Sequence, residues 1–134
     1  MGELFVRTVQ EYRQQGKFLL HDYVVMPDHV HLLITPNIAI EKAVQFVKGG
    51  FSFRAGKEFG LTGRIWNHRF DGKTVEDWQA FEAVRRYIRR NPVKAGSAEE
   101  ESGYEFSSAH STAELDDVPE GLKPLNLQEV GYHG

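Results

Sequence analysis

The chain reads as an α+β fold of the ferredoxin-like type, a sandwich of an antiparallel sheet with helices on one face. Three observations predict this. Strand-like and helix-like stretches alternate along the 134 residues. Two of the strands meet as an antiparallel pair at the turn residues Pro27-Asp28, and the later helices each carry an apolar stripe.

In order, the pattern predicts a helix over Leu4 to Gln14, then a turn at Gly16-Lys17-Phe18 and a strand over Lys17 to Val25. A second strand runs from His29 to Thr35. A long helix over Ile40 to Phe59 follows, with Ala43, Val44, Val47 and Phe51 as its apolar side. A short strand is expected near Ile65 to Phe70, where Trp66, His68 and Phe70 share a face. The last helix has Thr74 as its expected N-cap, with Asp77 three residues later. Glu76 and Asp77 suit the positive end of the helix dipole. Trp78, Phe81, Val84 and Ile88 recur at helical spacing, with Tyr87 at the edge of the stripe. Pro92 disfavours helical backbone at the residue before it, so Asn91 is expected at the C-cap.

Composition divides the chain. The whole carries 16 Lys and Arg against 19 Asp and Glu, a net charge of −3. Residues 97–134 hold nine of the acids and one base, Lys123, hence −8. Residues 1–96 keep the other 15 bases and 10 acids, hence +5. We therefore expect one folded domain over 1–96 and an acidic tail over 97–134, partly packed on that domain. Within the tail, Tyr104 and Phe106 alternate with polar residues like a short strand. The tail's charge has two readings, a shield over a basic surface or a solvated segment. The absence of cysteine excludes disulfides and thiolate metal sites, and no apolar run is long enough to span a bilayer. Both are compatible with a cytoplasmic protein.

Two short stretches carry chemistry. In Met26-Pro27-Asp28-His29-Val30-His31-Leu32-Leu33-Ile34, the histidines are two apart, so both imidazoles leave one face of a strand. Such a pair can clamp a divalent ion, or it can be two ordinary strand histidines. In Arg85-Arg86-Tyr87-Ile88-Arg89-Arg90-Asn91-Pro92-Val93-Lys94-Ala95-Gly96, Tyr87 and Asn91 lie one helical turn apart. That is the spacing of a nucleophile beside a metal ligand, and equally of a helix-anchoring tyrosine. Arg85, Arg86, Arg89, Arg90 and Lys94 form a basic patch suited to phosphates. Asp28 is read as a turn former rather than a metal group, since a strand neighbour of His29 points away from it. His68 is read as packed or phosphate-contacting, while His21, His110 and His133 have no motif around them.

Taken together, the two stretches resemble the single-tyrosine transposases of the HUH type, and most closely the REP-associated tyrosine transposases. The matching residues are Met26 to His31 and Tyr87 to Gly96. Lesser matches are Lys48-Gly49 with Phe51-Ser52, Ile65-Trp66-Asn67 with Arg69-Phe70, and Tyr104 with Phe106-Ser107-Ser108. The resemblance covers roughly residues 1 to 110, in order. It implies cleavage and rejoining of single-stranded or hairpin DNA through a covalent 5′-phosphotyrosine link. It gives Tyr87 the role of nucleophile and makes His29, His31 and Asn91 the ligands of Mg²⁺ or Mn²⁺. DNA contacts are expected from Arg85, Arg86, Arg89, Arg90, Lys94, Lys48 and Arg69. Imidazole donors favour Mn²⁺ over Mg²⁺.

One departure accompanies the resemblance. The resemblance implies a strand before the first helix, and because this chain starts almost inside that helix the strand is expected to be missing, either from a naturally short front or from a start that falls within a longer gene. The histidine strand then lacks a neighbour, and the expected remedy is a strand from a second copy, as a homodimer or swapped assembly, ahead of the chain's own tail. Two alternatives to a strand-cleaving and rejoining enzyme accompany this departure and the site. One is a domesticated or inactive relative that binds hairpin DNA without cutting. The other is a metal-dependent phosphodiesterase that uses water and needs the histidines but not Tyr87.

Overall fold

Leu4, Phe5, Thr8 and Val9 fall on one side of a 3.6-residue period and are all buried in the first helix, α1 (Gly2–Gln14). The helix stops where Gly16 takes a left-handed conformation. Gly16 N–H donates to Arg13 and Lys17 N–H to Tyr12, which satisfies two terminal carbonyls. The computed structural model describes residues 2–27, 29–60, 71–110, 114–119 and 123–130, with 71 and 128–130 described in their backbone alone.

Strands β1 (Phe18–Val25) and β2 (His29–Pro36) form an antiparallel hairpin closed by Met26 N–H donating to His29 O. Helix α2 (Ile40–Phe59) has the predicted bounds and ends at left-handed Gly60. Strand β3 (Asp71–Thr74), helix α3 (Trp78–Lys94), a 3₁₀ turn (Glu101–Gly103) and strand β4 (Leu125–Val130) complete the order. The sheet runs β1-β2-β4-β3, antiparallel throughout.

The α+β class and antiparallel sheet agree with the prediction, but the helices do not share one face. Val30, Leu32 and Ile34 of β2 pack with Leu4, Phe5, Val47 and Phe51 of α1 and α2. Leu33, one residue out of phase, packs with Phe81 and Ile88 of α3. Alternate residues of a strand leave opposite faces, so α3 lies across the sheet from α1 and α2. β2 accordingly reads as a nearly continuous apolar run, the pattern of a strand covered on both sides.

The side of β2 away from β1 is paired from within the chain. β4, drawn from the acidic tail, pairs antiparallel with β2 from His29↔Val130 to Ile34↔Leu125. This reverses the expectation that a second copy supplies the strand. Leu127 is buried on the α1–α2 side, and the apolar alternation of Leu125 and Leu127 gives β4 one core-facing side. The tail is held elsewhere too. Tyr104 Oη donates to Val25 O at 2.7 Å, and Val25 N–H donates to Phe106 O at 2.8 Å. Asp116 accepts Arg13 Nε and Nη2, both at 2.8 Å, and also Leu20 N–H. That fork of arginine hydrogen bonds holds the Asp116 carboxyl below the usual carboxylate range.

Two helix-end predictions are corrected. Thr74 lies in β3, and the N-cap of α3 is Asp77, whose Oδ1 accepts Ala80 N–H at 2.7 Å. Val75 N–H donates to Pro124 O, so the segment before the cap stays extended alongside the tail. Asn91 is not a C-cap. α3 continues through buried Pro92 to Lys94 because the stop signal is left-handed Gly96. Gly96 N–H donates to Val93 and Ser97 N–H to Pro92. The strand expected near Ile65–Phe70 lies outside the described residues, as do Asp28, His68 and Arg69.

Candidate active site

β2 delivers both histidines to the α3 side. His29 and His31 alternate around Val30, and their ring centroids stand 5.3 Å apart at nearly right angles. The Tyr87 ring stands 5.3 Å from that of His31. Tyr87 is 52 % exposed, whereas His31 is 1 % exposed. A groove of about 670 Å³ opens over them, lined by His29, Ala83, Arg86, Tyr87, Arg90, Asn91, Lys94 and Ala95. Helical spacing accounts for this lining, because 83, 86, 87, 90, 91 and 94 return to one side of α3 every turn.

His31 is electrostatically unusual. Among the described residues neither ring nitrogen has a hydrogen-bond partner, although both are buried. A buried polar atom in that condition carries an uncompensated desolvation cost, which groups kept for structure alone normally avoid. Burial, followed by the nearby His29, pushes the His31 pKa down to about 4. At neutral pH the ring is therefore uncharged and offers a lone pair, the state that a metal ligand requires. His21, by contrast, is satisfied. Its Nδ1–H donates to Asp116 O, and its Nε2 accepts from Thr35 Oγ1, both at 2.7 Å. Burial pushes its pKa down as well.

Among the described residues, no group of three or more His, Cys, Asp or Glu side chains suited to a metal gathers anywhere. Among the described residues, a third protein donor beside the two imidazoles would be another residue type, and the Asn91 amide lies in the same groove. The orphaned nitrogens of His31, its neutral state and the adjacent His29 fit a divalent ion. Imidazole and amide donors suit Mn²⁺.

The arginines of α3 divide into two rows. Arg86, Arg90 and Lys94 line the groove, with Arg90 also in an exposed pair with Glu101 at 3.6 Å. Arg85 and Arg89 turn to the sheet instead. Their Nε atoms donate to Asp22 Oδ2 at 3.3 and 3.0 Å. Asp22 is 0 % exposed, and burial raises its pKa against the pull of the two guanidiniums. Lys48 lies on α2, across the sheet from the groove. Reading the sequence missed Asp22. Its signal was a carboxylate inside the apolar strand Phe18–Val25 of a chain that also holds an arginine-rich helix. The geometry further required the bulge between Leu20 and Asp22, which resets the alternation so that Asp22 faces α3.

Comparison with known proteins gives two matches. The family model described as "Transposase IS200 like" matches residues 2–91. The chain is also similar to the REP-associated tyrosine transposase of Escherichia coli (strain K12), at 24 % identity over 127 residues, covering 92 % of this chain and 71 % of that protein. No solved structure gives a significant match.

Proposed function

The chain belongs to the IS200-like transposase family, and we propose that it cleaves and rejoins single-stranded DNA through a covalent bond between Tyr87 and the 5′ side of the cut. The observation that carries this reading is the convergence of Tyr87 on His31, a buried and neutral imidazole with no partner for either nitrogen among the described residues. His29, His31 and the amide oxygen of Asn91 would hold a divalent ion, Mg²⁺ or Mn²⁺. That ion, when bound, neutralises charge on the scissile phosphate, an effect worth several kcal/mol.

The protein's own residues account for the remainder. Arg86, Arg90 and Lys94 bring positive charge to the groove and draw the DNA backbone along it. Tyr87 projects from a rigid helix into the same groove, so its hydroxyl approaches a held phosphate at little cost in orientation. The Tyr87 oxygen bonds to phosphorus as the bond from phosphorus to the 3′ oxygen breaks. The phenolic proton leaves to solvent, and the departing 3′ oxygen takes up a proton. The phosphotyrosine keeps the energy of a phosphodiester, so the free 3′-hydroxyl can reverse the step.

Incubation with labelled single-stranded hairpin DNA and Mn²⁺, followed by a denaturing gel, tests the reading. The expected result is a slow-migrating covalent band that EDTA abolishes. Cleavage to free 5′-phosphate ends without such a band would replace this reading with a phosphodiesterase that uses water. Binding without cleavage would make the chain an inactive relative.

A further inference from the structure

We propose that the outer face of α2, across the sheet from the groove, is a second nucleic-acid site that holds unpaired nucleotides of single-stranded DNA on Phe46 and Phe53. This rests on the reading of the chain as a single-strand DNA enzyme. The inner face of α2 is accounted for, since Ala43, Val47, Phe51 and Ala55 are buried. A second apolar stripe runs along the opposite side at helical spacing, through Phe46, Gly49 and Phe53. Phe46 is 39 % exposed and Phe53 66 %. The exposed residues of α2 also include Glu41, Lys42, Gln45, Lys57 and Glu58, so the two rings stand among charged side chains rather than on a purely polar face.

Gly49 strengthens the case. It sits mid-helix, where glycine costs roughly 1 kcal/mol relative to alanine. A Cβ placed there meets nothing within 4 Å, so packing within the chain does not demand glycine. Gly50 differs, because a Cβ there would come within 2.5 Å of the Tyr12 hydroxyl. The open backbone at Gly49 borders a groove of about 410 Å³ that also includes Tyr12, Lys42 and Phe46 and has no acidic side chain among its described lining residues.

Charge selects the occupant. Lys17 lies over the Phe46 ring at 4.8 Å and Lys57 over the Phe53 ring at 5.2 Å, with Lys42 one turn before Phe46. The nearby acids Glu11 and Glu58 are engaged by Arg54 and Arg7. Aromatic rings interleaved with lysines form the platform on which successive bases stack while ammonium groups follow the phosphates. A second copy of the chain docking this face symmetrically would bring its lysines against their own copies, which disfavours that occupant. The two rings lie two turns apart, about 10 Å along the helix, room for about two or three bases.

The test uses the full chain with Tyr87→Phe, so that the probe stays uncut, and follows a fluorescein-labelled oligothymidine of about thirty nucleotides by anisotropy. Adding Phe46→Ala and Phe53→Ala should weaken binding about tenfold for each ring and leave a duplex of equal length unaffected. Phe53→Ser alone guards against a folding defect, since this exposed ring packs into no core, and it should give about half of that effect on a logarithmic scale. Lys42→Ala with Lys57→Ala should lower the salt dependence by about 1.4 in log–log slope. Unchanged oligothymidine affinity in the phenylalanine variants would overturn the proposal, as would loss of a concentration-dependent dimer in place of DNA binding. If the chain with Tyr87 intact still forms its DNA adduct in that case, the α2 site alone fails. If the parent binds no single strand at all, the functional reading falls with it.

Discussion

His31→Leu is expected to remove Mn²⁺ binding while leaving the metal-free protein as stable as the parent, or more so. The two side chains are similar in volume, and leucine suits a position only 1 % exposed. Replacing His31 deletes two buried nitrogens that have no partner among the described residues. Relief of their desolvation should raise unfolding free energy by about 1–3 kcal/mol. Mn²⁺ affinity by calorimetry should fall more than about a hundredfold, beyond the loss typical of outer-sphere partners. The pH dependence separates this from a packing effect. With a folded pKa of about 4 against about 6.5 unfolded, the unfolded chain takes the proton first. In EDTA, the titration of His31 therefore subtracts further stability progressively as pH falls from about 6.5 to 4, by up to about 3 kcal/mol, and above that window only the pH-independent cost of burying the neutral ring is left. The leucine variant should lose that slope. A variant that is destabilised at pH 7 and keeps the slope would mark His31 as an ordinary core residue.

Arg85→Met with Arg89→Met should cost about 3–5 kcal/mol, the penalty for leaving a buried charge without its partner. Methionine retains the apolar stems of both side chains, so the change falls on Asp22, which is 0 % exposed. Each single variant should cost less, because the other guanidinium still donates to Asp22 Oδ2. Asp22→Asn should also cost less than the double variant, since both arginines are part-exposed and can turn to water. Burial raises the Asp22 pKa, so the folded state takes up a proton at a higher pH than the unfolded state. The cost of its ionised form is present above the folded pKa and is relieved as pH falls through it. The deficit of the double variant, measured by urea unfolding at pH 7, should shrink on acidification. The two rows of α3 thus divide in purpose. Arg85 and Arg89 orient the helix on β1, and Arg86, Arg90 and Lys94 face the groove.

The parts of the site that depend on local periodicity were legible in the sequence. His29 and His31 share a face because a strand repeats every two residues, and Tyr87 and Asn91 share one because a helix returns every four. The bounds of α2 were legible for the same reason. What depends on partners distant in the chain was not. Asp22 meets Arg85 and Arg89 only through a bulge and a helix docked over sixty residues later. The assignment of α3 to its own face was latent in the unbroken apolar run of β2, but only the folded sheet shows which helix covers which side. β4 carries a period of two in Leu125 and Leu127, yet its acidic surroundings gave it the look of a solvated tail. Tertiary packing also outweighed the local preference around Pro92, which lies buried inside α3 rather than beyond its end.

Mass spectrometry of the protein after incubation with single-stranded hairpin DNA and Mn²⁺ decides whether Tyr87 is the nucleophile of a DNA strand-transfer enzyme. The expected result is a mass increase equal to the 5′-phosphorylated product strand, located on the peptide containing Tyr87. Tyr87→Phe, which removes one oxygen from a half-exposed ring, should show no increase and retain DNA binding. Cleavage by Tyr87→Phe at the parental rate, or an adduct on Tyr12, Tyr23, Tyr104 or Tyr132 instead, would contradict that role.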